Sequence, residues 1–237
     1  MIADDDEVEY EYETIEVSHF SFEITTISFL PIEKLMSNQA IGVEISGQKV
    51  WCGSLYVVDY ILRNREVIEK KLVIELGAGT GILGMVCSRL HCKELILTDN
   101  DPKSIKHMKQ DCSKNFVFAE VKELDWFAPD ISKLGITIDE STPEICIVAG
   151  DVLYKHVLLE PFFKTTRLLL DLQKNASMLL CHVPRAGVNY SDVIQAAESN
   201  GLLIEQITVG SEDKQNVRKH CPEDDISRAR LFSIKIR

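Results

Sequence analysis

The chain has 237 residues, 45% of them hydrophobic, and a formal charge of -11, enough length for one α/β domain with a full core. That acidic balance excludes a nucleic-acid binder, which needs a basic surface against phosphates. Seven cysteines, odd in number and without a C-x-x-C pair, exclude a disulfide frame and a zinc site and read as reduced core thiols of the cytosol or nucleus.

Much of the charge lies at the start. Asp4, Asp5, Asp6, Glu7, Glu9, Glu11, Glu13 and Glu16 precede the first basic residue, Lys34, and setting those eight aside leaves 29 acidic against 26 basic residues, a balance of -3. Residues 1–16 therefore read as a disordered acidic arm, compatible with a lysine-rich protein partner. The start lacks a secretory signal and no eighteen-residue uncharged apolar run occurs, so a soluble protein without a membrane span is expected.

From residue 17 onward a single domain is expected. Residues 17–30 and 41–50 are rich in β-branched and aromatic types and read as an N-terminal β hairpin or as edge strands, within a β extension covering 17–50. Leu55, Val58, Ile61, Leu62 and Ile68 then mark a helical stripe. Strands follow at 71–76, 94–98, 117–121, 145–149, 177–182, 202–208 and 231–236, with helices at 81–91, 102–114, 156–173 and 190–199. Apolar strands joined by helices predict a Rossmann-like, doubly wound, seven-stranded, mostly parallel sheet. The last two strands are joined through a charged stretch, 210–230, with no clear helix, so one antiparallel strand is expected near the C-terminus.

The run Lys71 to Gly84 carries Glu75 near the strand tip and then Gly77, Ala78, Gly79, Thr80 and Gly81. Such a turn brings bare backbone against a nucleoside ligand. From Gly77 the spacing is G-x-G-x-G, while Gly79, Gly81 and Gly84 fit the dinucleotide pattern two residues later. A carboxylate at position 75 facing the ligand would repel a pyrophosphate, and that charge logic favours S-adenosyl-L-methionine, which carries a sulfonium and no phosphate.

The second strand ends in Asp99, placed to accept from ribose hydroxyls; Asp101 and Pro102 beside it also suit a helix start. After the third strand, Asp125 and Trp126 sit where the sheet edge should meet an adenine. The fourth strand delivers Gly150, Asp151 and Tyr154 to the same edge. His182 and Arg185, after the fifth strand, could reach the acceptor site, but read first as part of a loop that turns the chain into the next helix.

Trp51, the run Glu75 to Gly81, Asp99, Asp125-Trp126 and the D-x-x-Y run Asp151 to Tyr154 together resemble the seven-β-strand protein methyltransferases of the methyltransferase-like lysine group. Residues 159–165 are similar in style to the valosin-containing-protein lysine methyltransferase. The resemblance implies an S-adenosylmethionine-dependent enzyme that modifies a lysine of a non-histone protein; a monomer is expected. It implies Trp51 at the methionine end of the cofactor, Gly77, Ala78 and Gly79 along it, Asp99 on the ribose, Asp125 and Trp126 at the adenine, and Gly150 beneath the sulfonium. Asp151 and Tyr154 would border the acceptor, Asp151 orienting the amine. Many relatives carry alanine where this chain has Gly150, which implies a looser wall. Arginine or histidine acceptors, an NAD-dependent oxidoreductase and a non-catalytic binding protein are the alternatives.

Overall fold

The computed structural model describes residues 9–29, 46–210 and 214–237. Two strands come first, β1 (Glu9–Val17) and β2 (Phe20–Phe29), paired antiparallel around a turn at Ser18 and His19. Half of the stretch expected to be a disordered arm is thus a strand. The reason lies in its partner and its far end: the segment pairs with β2 from Glu9 to Val17 and buries Ile15 and Val17 in the core, while Glu9, Glu11, Glu13 and Glu16 stay exposed. Residues 20–29 find their hairpin partner in this segment. Positions 41–45 lie outside the described residues, and Ser46–Gln48 form a 3-10 turn.

The central sheet has the order β5-β4-β3-β6-β7-β9-β8, with β3 (Leu72–Leu76), β4 (Glu94–Asp99), β5 (Glu120–Glu123), β6 (Ile145–Gly150), β7 (Ser177–His182), β8 (Leu202–Ile207) and β9 (Arg230–Ile236). The first five of these are parallel, and β9 runs antiparallel to both neighbours. This is the seven-stranded, mostly parallel sheet expected. The reversed strand is inserted between β7 and β8, and its connection from β8 contains two short helices where none was expected. The third strand begins three residues later than the apolar pattern suggested, leaving Phe116 and Phe118 exposed ahead of it.

Helices α1 (Cys52–Arg63), α2 (Ile82–Arg89), α3 (Pro102–Lys114), α4 (Leu159–Leu170), α5 (Tyr190–Ser199), α6 (Val217–His220) and α7 (Glu223–Arg228) surround it. Strand parity divides the core. Val73, Leu97, Cys146 and Val148 pack with α1, α2 and the hairpin, whereas Ile74, Leu76, Ile147 and Leu180 pack with α4 and α5 on the other face. The hairpin is tied to α3 by polar groups. Asp111 accepts from the Thr25 amide and hydroxyl at 2.8 and 2.7 Å, and Asn115 exchanges two bonds with the Glu23 backbone. All seven cysteines are free, five of them buried. Among the described residues no helix is long and apolar enough to cross a membrane.

Candidate active site

At the carboxyl ends of β3, β4 and β6 lies a cavity of about 750 Å³, the place where open α/β sheets keep their ligands. Trp51, Gly77, Ala78, Gly79, Asp99, Asp125, Trp126, Gly150, Asp151 and Tyr154 all line it, as do Ser46, Lys49 and Arg185. Ten of the eleven residues selected from the sequence are brought together in one space. Glu75 is the exception.

The floor is the turn between β3 and α2. Gly77 and Gly79 adopt φ of +64° and +55°, the left-handed region where a Cβ costs energy. The turn is stitched to the end of β4: the Ala78 amide donates to the Thr98 carbonyl and the Gly79 amide to Asp99 Oδ2, each at 2.9 Å. A Cβ at Gly79 would stand 2.8 Å from the Gly47 carbonyl oxygen, and one at Gly77 would stand 3.1 Å from the Trp126 ring. These glycines thus let the 46–48 turn and the indole close over the cavity.

Glu75 points away from that space. Parity on β3 puts its side chain with Val73 on the α1/α2 face, where Oε2 accepts from the Gly84 amide at 2.8 Å. Its expected role as a carboxylate facing the ligand is therefore corrected: it is buried and caps the first turn of α2. A dinucleotide would set its pyrophosphate on that helix N-terminus, but here one of those amides is already taken from within. Glu75 still weighs against a dinucleotide, through occupancy and not through repulsion. Burial pushes its carboxyl up to about 8.

Asp99 is held by three backbone amides, from Gly79, Asn100 and Asp101. Burial pushes its carboxyl up, and the amide bonds oppose that shift. Asp101 caps α3, accepting from the Ser104 amide and hydroxyl at 2.8 Å, as its sequence position beside Pro102 suggested. Trp126 packs edge-on against Phe162, with ring centroids 5.0 Å apart, and remains half-buried at the cavity. Asp125 accepts from the Phe127 amide in a tight local turn.

The opposite end is built by Trp51, Tyr154, Asp151 and Arg185. Trp51 precedes α1 and donates from Nε1 to the Ser46 carbonyl at 2.5 Å, while the Ser46 hydroxyl donates to Tyr154 Oη at 3.0 Å. Asp151 follows β6 with φ of +60°, its amide bonded to the Cys181 carbonyl of β7. A carboxylate facing the acceptor and orienting its amine was expected there. Asp151 lines the cavity, and its Oδ2 accepts from Arg185 Nε at 3.0 Å and Nη2 at 2.8 Å, with its side chain 1% exposed. Burial pushes this carboxyl up, and Arg185 opposes the shift.

Arg185 is the cavity residue that sequence reasoning set aside as part of a loop. A single arginine in a loop carries no periodic signal, and only the fold sets its guanidinium 5.1 Å from the Trp51 ring centre and against Asp151.

Gly150 also differs from expectation. An ideal Cβ there would lie 2.4 Å from the Ser54 amide nitrogen, and one at Gly53 would lie 2.5 Å from the Asp151 amide nitrogen. The glycine therefore admits the first turn of α1 directly onto the end of β6, and the wall is tight, not loose. Gly150→Ala is expected to destabilise the protein by about 1–3 kcal/mol, since backbone cannot give way as a side chain can. Denaturant unfolding measures it, and an unchanged midpoint would contradict the contact.

The sequence was compared with known proteins. Methyltransferase-like protein 22 of Homo sapiens is 26% identical over 170 residues, covering 65% of this chain and 42% of that protein. The calmodulin-lysine N-methyltransferase of Arabidopsis thaliana is 28% identical over 153 residues, covering 62% and 48%. The chain spans about half the length of the curated relatives it matches. Among solved structures, the T. Thermophilus 16S rRNA N2 G1207 methyltransferase in complex with AdoMet and guanosine superposes with a TM-score of 0.60 at 13% identity, over 96% of this chain and 51% of that one, a likeness of fold. The lysine methyltransferase family pattern matches residues 32–199, most of the sheet and the whole cavity floor, and the chain belongs to the lysine methyltransferase family.

Proposed function

We propose that this protein transfers a methyl group from S-adenosyl-L-methionine to a lysine side chain of another protein. One observation carries the reading: a single cavity joins a glycine turn, a buried acid at the end of β4 and a half-buried indole at one end to the D-x-x-Y residues at the other. The volume suits a nucleoside cofactor with room for a side chain.

The residues present fit the cofactor. Asp99 sits where a ribose would lie, Trp126 offers a ring edge and face to an adenine, and Gly77 to Gly79 leave the backbone bare between them. Trp51 and Gly150 would flank the methionine end. When bound, the cofactor supplies a methyl group on a positively charged sulfonium.

The protein's part is orientation. An in-line displacement needs the acceptor nitrogen held close to the methyl carbon, with few bonds for the enzyme itself to make or break. Lysine arrives as an ammonium with no lone pair, and a like charge beside it favours the neutral amine. The Tyr154 hydroxyl borders that end and can orient the amine by hydrogen bonding. Asp151, committed to Arg185, sets the shape and polarity of the acceptor end and does not stand as a free base. Seven free cysteines, mostly buried, support a reducing compartment, cytosol or nucleus.

Thermal unfolding with each candidate cofactor tests the reading. S-adenosyl-L-methionine at about 100 times its Kd is expected to stabilise the fold by about 2.7 kcal/mol, a rise of about 5–10 °C in Tm for a chain of this size. NAD is expected to leave Tm unchanged. A shift with NAD and none with S-adenosyl-L-methionine would overturn the assignment.

A further inference from the structure

Beyond the cavity, Arg185 leads away from the acceptor end into the C-terminal part of the chain. The Nη2 atom that bonds Asp151 also donates to Asp225 Oδ2 of α7 at 2.9 Å. Asp225 is not among the residues that line the cavity. It is braced in turn by Arg228, whose Nη2 donates to Asp225 Oδ1 at 2.9 Å and whose Nη1 donates to the Pro184 carbonyl, next to Arg185 itself, at 2.9 Å. Charges alternate along this chain, and no member stands without a partner.

The segment that carries Asp225 is itself fixed. Asp59, buried in α1, accepts from the Asn216 and Val217 amides at 2.9–3.1 Å at the start of α6. Asn216 Oδ1 also accepts from the Ser18 amide in the hairpin turn. The stretch from 214 to 228 is pinned at one end to the helix that follows Trp51 and at the other to the arginine beside the acceptor.

We infer that Asp225 is a positioning residue for methyl transfer: through Arg185 it holds Asp151, and with it the acceptor end of the cavity, in place. This rests on the methyltransferase reading above. Three features support it. The guanidinium has two carboxylates on one nitrogen, so losing Asp225 leaves it free to turn about its remaining bonds to Asp151. Planar, forked recognition of this kind is specific to arginine and sensitive to the position of each acceptor. Asp151 is held in a left-handed conformation, which persists only where surrounding contacts define it.

The test uses the full chain, methyl-labelled S-adenosyl-L-methionine and, as acceptor, the proteins of a cell extract lacking the endogenous enzyme. Asp225→Asn is expected to slow label transfer about tenfold at saturating cofactor, the effect of one charge-assisted bond. Its S-adenosyl-L-methionine affinity, measured by calorimetry, should stay within about twofold of wild type, which also reports that the variant is folded. Asp225→Glu, which keeps the carboxylate, should recover most of the rate. Because both residues act through one path, Arg185→Gln combined with Asp225→Asn should be no slower than Arg185→Gln alone.

An Asp225→Asn rate equal to wild type overturns the inference, as does a double variant whose loss is the product of the two single losses. An Asp225→Glu variant as slow as Asp225→Asn does the same. Absence of transfer by the wild-type protein is a different result, since it removes the methyltransferase reading on which the inference stands.

Discussion

Methyl transfer is expected to fall at least about 100-fold in Asp151→Asn, a loss of about 2.7 kcal/mol of transition-state stabilisation. Asparagine keeps the size of the side chain and tolerates the left-handed backbone at this position, so the change isolates the charge. What disappears is the buried one of the two carboxylates that hold a half-buried guanidinium. Arg185 donates twice to Asp151 and once to Asp225, so the neutral variant leaves the guanidinium to Asp225 alone and rearranges its surroundings. Those surroundings are the acceptor end of the cavity. The glycine turn, Asp99 and Trp126 lie at the other end, so S-adenosyl-L-methionine affinity should remain within about threefold. Label transfer and calorimetric titration of the same sample decide it. Turnover within tenfold of wild type, or a complete loss of cofactor binding, would sink the assignment of Asp151 to the acceptor end.

The second large effect concerns Glu75 and pH. In the unfolded chain this carboxyl titrates near its ordinary value of 4.5, and in the folded chain burial holds it up to about 8. The folded state therefore binds the proton more tightly. Its contribution to stability is complete below pH 4.5, declines as pH rises between those two values, and is lost above about 8, a swing of ~5 kcal/mol by linkage. Glu75→Gln keeps an oxygen for the Gly84 amide and removes the titration. Unfolding free energies for wild type and variant should thus diverge as pH rises from 5 to 8.5, with the variant the less pH-sensitive of the two. Parallel curves would show that Glu75 ionises freely in the folded state. The cofactor cavity should be spared, because the side chain lies on the other side of the turn.

Much of this site was legible because its signals are local. A strand that ends in glycines, an acid at the tip of the next strand about twenty residues on, and an Asp-x-x-Tyr run after a third strand are all patterns within a few neighbouring residues. Each parallel strand delivers its last residues to the same edge, so once the alternation of strands and helices is read, Gly79, Asp99, Trp126 and Asp151 must converge. The D-x-x-Y resemblance then pointed to the lysine methyltransferase family to which the chain belongs.

The sequence by itself determined the sheet, the cavity's position and ten of its residues, because strand periodicity and turn chemistry act over short distances. Which way Glu75 faces was decided by strand parity against α2, since a side chain at a strand tip can serve either the ligand or the neighbouring helix. That Gly150 tightens the wall depended on the approach of α1, ninety-six positions earlier at Ser54, to within backbone contact of β6. The fate of the acidic start depended on pairing with β2 and docking on α3, which offset the cost of ordering a charged strand. Arg185 and Asp225, forty residues apart, met Asp151 only because β9 inserts beside β7 and brings the end of the preceding α7 over the acceptor corner. Tertiary structure alone decided these, because each rests on a contact between segments whose separation in sequence carries no pattern.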